Sequence, residues 1–465
     1  MIELAGFRLK GAVSKIRVAA AVVLAAVAMP RDASAQTGSW ANDTDTAWVF
    51  GSDVSVITTA AEFARFADVV NSGDDDFEGK TVVLANAVDL SAHFWQPVGV
   101  LSDPFGNPDA PFRGTFDGGG HAISGLHVDT TELSSHTSET GLFGGVEGAV
   151  LRNITLEAPV VSGGIYIGGV VGWADRTTLS NIVSLAGAGA SVAGDGDTEL
   201  IGGIAGYATG TSFRHVRNEV AVFSETGTVG GIAACADGAF DAAATFADVV
   251  NAGAVTGAGV ASDNLVIVHG GDPVSYAVES VGGISGSGYS ILADGVRNLG
   301  TVSGRAARQT AGLFGESYDS TVRNAFNSGD VSGTTIVGGL VGKLSQTELV
   351  NAYNAGSVAL SRTGWESDAR RTPPALAALG GIAGQALGRF EDGWPHLAEE
   401  FSNGRIENAV NYGAVTNTTS WRRIFVGGLI GVQGDTMPLV IVAPPFGGLI
   451  QGWYPVPVYA SYWKL

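Results

Sequence analysis

Three short stretches hold the residues best suited to grip another molecule: Trp365 with Arg370 and Arg371, Trp394 alone, and Trp421 with Arg422 and Arg423. Flat indole faces and forked guanidinium donors are common anchors for glycans and protein partners. Their concentration stands out because the chain carries 25 Lys and Arg against 45 Asp and Glu, a formal charge of -20. The competing reading is a packing role, in which each tryptophan pins its own stretch to the body of the fold.

Catalytic groups do not converge in the same way. A hydrolase acting on a polysaccharide needs two carboxyl groups about 5 to 9.5 Å apart. The nearest candidates are Asp117 and His121 in "FDGGGHAIS" and Asp330 in "NSGDVSG". An aspartate flanked by glycine is also a turn former that bonds its own backbone. His-Glu-x-x-His is missing, and "HLAEE" (His396 to Glu400) offers one histidine where a zinc peptidase needs two. Beyond the first 17 residues, lysine occurs only at Lys80, Lys343 and Lys464. Oxygen-rich loops at Asp74, Asp75, Asp76 and Glu78, at Asp103, Asn107 and Asp109, and at Asp195, Asp197 and Glu199 are of the kind calcium favours. None has the spacing of a known calcium loop, so solvated acidic loops and no required cofactor are expected. Cys235 is the single cysteine, which excludes an internal disulfide and reads as a small buried hydrophobe. The acidic balance argues against nucleic acid and anionic membrane as partners.

Whatever these residues do, a repetitive frame must position them. Among the 69 glycines one string recurs, seen as "IGGVVG" at Ile167, "IGGIAG" at Ile201, "VGGIAA" at Val229, "VGGISG" at Val281, "VGGLVG" at Val337, "LGGIAG" at Leu379 and "VGGLIG" at Val426. "TGLFG" and "AGLFG", ending at Gly144 and Gly315, are variants. From Gly141 through Gly169, Gly203, Gly231, Gly283, Gly312, Gly339 and Gly381 to Gly428 the steps are 28, 34, 28, 52, 29, 27, 42 and 47 residues. A base period with insertions is the mark of a solenoid. Between the strings recur short strand-turn-strand units such as "VRNAFNSGDVSG" (Val322 to Gly333) and "LVNAYNAGSVA" (Leu349 to Ala359). One such unit cannot bury an apolar face alone, but coils stacked in parallel at about 4.8 Å can. The paired glycines then mark corners, where a missing Cβ admits positive φ and close backbone approach. Asn153, Asn181, Asn298, Asn324, Asn351 and Asn408 recur once per coil, and an internal amide ladder is expected of them.

The glycine strings with their "NAYNAGSV"-type partners resemble the GLUG repeat of bacterial secreted and surface proteins, found also in non-catalytic regions of some IgA-cleaving metallopeptidases. The resemblance spans about Gly141 to Gly431, is supported by "FRGTFDGGGHAISGLHV" (Phe112 to Val128) before it, and includes the terminal "SYW" (Ser461 to Trp463). It implies an all-β chain and a right-handed parallel β-helix at the cell exterior, and it implies no particular reaction, since such repeats are scaffolds. "TTAAEFARFADVVNSG" (Thr58 to Gly73) predicts one capping helix, with Thr58 or Thr59 as N-cap, Phe63, Phe66, Val69 and Val70 on its apolar face, and a stop at Gly73.

The resulting plan is a signal peptide over 1–35, a leader over 36–57, cap helix and first coils over 58–140, repeats over 141–431, and an aromatic, proline-rich closing segment over 432–465. Arg8, Lys10, Lys15 and Arg17, the apolar run Val18 to Met29, and Ala33-Ser34-Ala35 predict cleavage after Ala35 and delivery to the periplasm, cell surface or medium. No later run is long enough for a transmembrane anchor. The expected function is an exported, adhesin-like, non-catalytic binding scaffold for a glycan or a cell-surface protein, with Trp365, Arg370, Arg371, Trp394, Trp421, Arg422 and Arg423 as its ligand-binding residues. The alternatives are a polysaccharide lyase or hydrolase on the same frame, or a fragment of a larger surface peptidase.

Overall fold

The computed structural model describes residues 38–101, 109–132, 138–194, 196, 198–239, 242–259, 278–361, 377–387, 404–417, 424–433 and 440–442. Within them the chain is a parallel β-helix. One coil shows the plan. Thr178–Leu185 lies in sheet 1, Ser191–Ala193 in sheet 2, Leu200–Gly202 in sheet 3 and Ala205–Thr209 in sheet 4, after which Ser212–Asn218 returns to sheet 1 one rung on. Among the described residues sheet 1 has 16 strands and sheets 2, 3 and 4 have nine each. Among the described residues the strands pair with their neighbours in parallel, as a coil stacked on its neighbour requires.

Apolar side chains hold the stack together because register places like on like. In sheet 2 a column of valines runs unbroken through Val128, Val161, Val192, Val222, Val255, Val302, Val331, Val358 and Val415. Those from Val128 to Val358 are at most 1% exposed. Full burial of one such side chain is worth about 1.5 to 3 kcal/mol. β-Branched residues suit this arrangement, since one χ1 rotamer serves a pleated surface.

The N-terminal end is closed by the helix Ala60–Asn71, where Thr59 and Glu62 form a capping box. Phe63, Phe66, Val69 and Val70 are buried. Phe63 stacks on Phe116 at 5.4 Å, and Phe66 meets Phe112 edge-on at the same separation. Gly73 takes a φ of +73°, which ends the helix as the sequence predicts. No helix among the described residues is long and apolar enough to cross a membrane. The signal region over 1–35 and the closing segment from Ala443 to Leu465, including "SYW", lie outside the described residues.

The paired glycines behave differently from the expectation in one respect. They turn the chain from sheet 3 into sheet 4, but none of them has a positive φ. The left-handed corner is the next one, between sheets 4 and 1, at Gly148, Arg176, Gly210, Ser290, Asp319 and Gln346. Close approach is what requires the pairs. A Cβ on Gly339 would overlap the Gly381 carbonyl oxygen of the next coil and the side-chain amide of Asn354.

That amide belongs to a buried ladder. Asn218, Asn251, Asn298, Asn327 and Asn354 are all 0% exposed, and each donates through Nδ2 to the Oδ1 of the next, ending at Asn411, over 2.8 to 3.0 Å. Each also bonds the carbonyl two residues on, as Asn327 does to Gly329 at 2.8 Å. Of the row expected inside, only Asn298 is there. Asn153, Asn181, Asn324, Asn351 and Asn408 stand on the outer side of sheet 1 in left-handed backbone, with φ between 51° and 54°. They form a second amide row, in which Asn181 bonds Asn153, Asn351 bonds Asn324 and Asn408 bonds Asn351 at 3.1 to 3.2 Å. His215 and Asp248 fill the same row where asparagine is missing.

Candidate functional site

Trp365, Arg370, Arg371, Trp394, Trp421, Arg422 and Arg423 lie outside the described residues, but the strands on either side of them are described. The chain leaves sheet 2 at Val358–Leu360 and enters sheet 3 at Ala377–Gly380. One coil later it leaves at Val415–Asn417 and enters at Ile424–Gly427. Leu360 pairs with Asn417 and Ala377 with Ile424, so these two insertions begin and end on adjacent rungs, about 4.8 Å apart. The insertion carrying Trp394 is rooted elsewhere, between sheet 4 at Ala383–Leu387 and sheet 1 at Arg405–Asn411.

The acidic candidates resolve into structural pairs. Asp117 accepts from Arg152 Nε, Asn153 Nδ2 and the Gly119 amide, each at 2.9 Å. Burial pulls its carboxyl up, but these bonds outweigh burial and hold it below the usual carboxylate range. Asp330 accepts from the Ser357 hydroxyl and amide at 2.7 and 3.0 Å, which likewise lowers it. Both residues tie one coil to the next. In the first acidic loop Asp75 pairs with Lys80, and Asp76 pairs with Arg113 at 3.1 Å. Asp103, Asn107, Asp195, Asp197 and "HLAEE" lie outside the described residues. Among the described residues no group of three or more His, Cys, Asp and Glu is placed to hold a metal ion.

Sequence reasoning missed a different constellation, on sheet 4. Its register aligns Trp173, Tyr207, Cys235, Ser287, Glu316, Lys343 and Gln385 in one column. A second column holds Glu147, Asp175, Thr209, Asp237, Tyr289, Tyr318 and Ser345. Sheet 3 closes over one end. Tyr166 meets Trp173 edge-on at 5.4 Å and lies 6.2 Å from Tyr207, while Trp173 and Tyr207 are 5.3 Å apart. The last glycine of each string lets the two sheets approach, because a Cβ on Gly172 would strike Glu139 and one on Gly342 would crowd Gln309.

Partial enclosure alters the chemistry of these side chains. Burial, with the nearby Cys235 and Asp237, pushes the Tyr207 hydroxyl up to about 12. Burial also pushes up the Cys235 thiol and the Asp237 carboxyl. The sequence placed Cys235 as a buried hydrophobe; it is half-buried in this outward column. Glu316 is clamped by Lys343 at 2.9 Å, with the Lys343 and Glu316 side chains only 13% and 12% exposed, and Tyr289 reaches Glu316 at 3.4 Å. The available signal was the outward position directly after the last glycine of the string, which reads Tyr207, Glu316, Lys343 and Gln385 where most other string residues are small or aliphatic.

No protein-family model matches this chain, and no curated protein does. Among solved structures it is similar to a crystal structure described as that of "a putative immunoglobulin A1 protease" from Bacteroides ovatus, at 14% identity over 84% of each chain, with a TM-score of 0.38.

Proposed function

We propose that the protein is an exported, surface-associated or secreted scaffold of GLUG-repeat type that binds a glycan or a cell-surface protein and performs no reaction. The observation that carries this reading is the rooting of two insertions on adjacent rungs at the corner of sheets 2 and 3. Each supplies a tryptophan and an arginine pair: Trp365, Arg370 and Arg371 from one, Trp421, Arg422 and Arg423 from the other. A stack that presents two insertions side by side has the layout of a recognition surface. Trp394 extends the same surface if its loop reaches that corner. Replacing Trp365, Trp394 and Trp421 together with alanine is expected to abolish binding to cells or to a glycan array while melting stays near that of the parent. Parental binding by the triple variant would sink the reading.

Polysaccharide cleavage is the second reading, favoured by one observation. Asp237 and Glu316 stand on the same sheet two rungs apart, about 10 Å along the stack, with the Asp237 carboxyl pushed up toward its acid form. Their columns also lie two residues apart, so the backbone separation is about 12 Å and the two side chains must lean toward each other to reach the range of an inverting pair. Release of reducing ends from a polysaccharide panel, lost in Asp237→Asn, would establish it.

A further inference from the structure

We infer that the crevice between sheets 3 and 4 is a binding site for a neutral oligosaccharide, with Tyr166, Trp173 and Tyr207 as its platform. This site is separate from the insertion loops and does not depend on them.

Three observations carry the assignment. The first is the aromatic group itself, three rings half-buried and mutually 5.3 to 6.2 Å apart, drawn from two sheets and two coils. Half-exposed rings where two sheets meet offer flat apolar faces of the kind sugar rings stack upon. The second is a pair of donors with nothing to bond. Trp173 Nε1 is buried without a hydrogen-bond partner, and so is the Nε2 of Gln309, whose residue is 1% exposed. Gln309 Oε1 is already taken by the Ser280 hydroxyl at 2.9 Å, which fixes the amide with its donor side unmet. A buried donor left unpaired costs about 1 to 3 kcal/mol, and a ligand rich in oxygen acceptors on the platform would recover that of Trp173, while Gln309 lies four rungs further along the seam.

The third observation is the state of the carboxyl groups, which selects the ligand's charge. Glu147 is bonded by Arg113 at 3.0 Å, Asp175 by Arg176 at 3.1 Å and Glu316 by Lys343 at 2.9 Å. Burial pushes the Asp237 carboxyl toward its neutral acid form. Glu147, Asp175 and Glu316 are therefore ion-paired and Asp237 is pushed toward its uncharged form, while on the sheet 3 side Glu139, in register with Tyr166, accepts from the Ser138 hydroxyl at 3.1 Å, so the pull of these acids on a cationic peptide is weakened. The basic groups are committed to those acids, so a uronate or sulfated chain finds no free cation. What remains on offer is ring faces, N–H donors and hydroxyl groups. From Trp173 to Glu316 the column climbs four rungs, about 19 Å, room for a short oligosaccharide laid along the stack.

The test is titration of the mature chain, followed by intrinsic tryptophan emission and calorimetry. The probes are neutral tetrasaccharides of glucose, mannose, galactose and xylose, with tetragalacturonate as anionic control and tetralysine as cationic control. At least one neutral probe is expected to bind and shift the emission, with both charged controls silent. Trp173→Phe keeps a ring and removes Nε1, and should weaken that binding about tenfold with melting unchanged. Tyr207→Ala should weaken it further. The Trp365, Trp394 and Trp421 triple alanine variant should bind the neutral probe as the parent does. Silence toward every neutral probe, tighter binding of either charged control, or binding that survives Trp173→Phe and Tyr207→Ala but vanishes in the triple variant would overturn the inference. Only the last of these outcomes would support the loop surface.

Discussion

Two rows of asparagine climb the same sheet three residues apart, and they do opposite things. Asn324 and Asn327 both belong to Thr321–Asn327. Asn327 is sealed in the interior, bonded to Asn298 below, Asn354 above and Gly329 beside it. Asn324 stands outside with a φ of +51°, bonded to Asp294 and Asn351. The inner row satisfies groups that water cannot reach, so each amide must find every partner within the protein. The outer row exists because asparagine tolerates left-handed backbone better than other side-chain-bearing residues. That kink inserts one unpaired residue, so Val322, Ala325 and Asn327 all face inward at spacings of three and then two. One residue type thus serves burial in one row and backbone conformation in the other.

The strongest way to break this contrast is through the glycine beneath the inner row. Gly339→Val would push a side chain into the Gly381 carbonyl and the Asn354 amide, and a loss of roughly 3 to 5 kcal/mol is expected from overlap and disrupted bonding together. Chemical denaturation monitored by circular dichroism measures it, and an unchanged midpoint would refute the close contact. Asn327→Ala comes next. It leaves the Gly329 carbonyl and the Asn354 Oδ1 without their donor, for a loss of about 2 to 4 kcal/mol.

Asn351→Ala in the outer row should cost only about 1 kcal/mol, mostly the strain of alanine at positive φ. Asn351→Gly should then be close to neutral, because glycine takes that conformation freely. If Asn351→Ala proved as damaging as Asn327→Ala, the distinction between the rows would fail.

The smallest effect is a pH dependence at the foot of the outer row, where Asp117 accepts from Asn153. Its carboxyl is held low in the folded state, so it binds fewer protons folded than unfolded at acid pH. The stabilisation it gives is complete above the unfolded value of about 3.9 and is lost as pH falls through the lower folded value. Melting temperature should therefore fall less steeply between about pH 5 and 3 in Asp117→Asn than in the parent. Parallel curves would show that this carboxyl does not sense folding.

Much of this was readable before any coordinates. The recurrence of the glycine string, the alternation of valine and isoleucine, and the Thr59 capping signal each act within a few residues, so the coiled stack and its helical cap followed from local rules. Which asparagine turns inward did not follow. Strict alternation assigns faces by parity, and the left-handed residue resets parity in mid-strand, an event visible only once neighbouring coils lock the backbone. The crevice escaped for a related reason. Tyr166, Trp173 and Tyr207 span 42 positions of sequence, and nothing local brings them together. The composition of each coil was legible in the sequence because hydrophobic burial and glycine's missing Cβ act locally. The pairing of sheet 3 with sheet 4, and with it the place where aromatic rings and unmet donors meet, was decided by tertiary structure, because stacking sets which residues of different coils share one face.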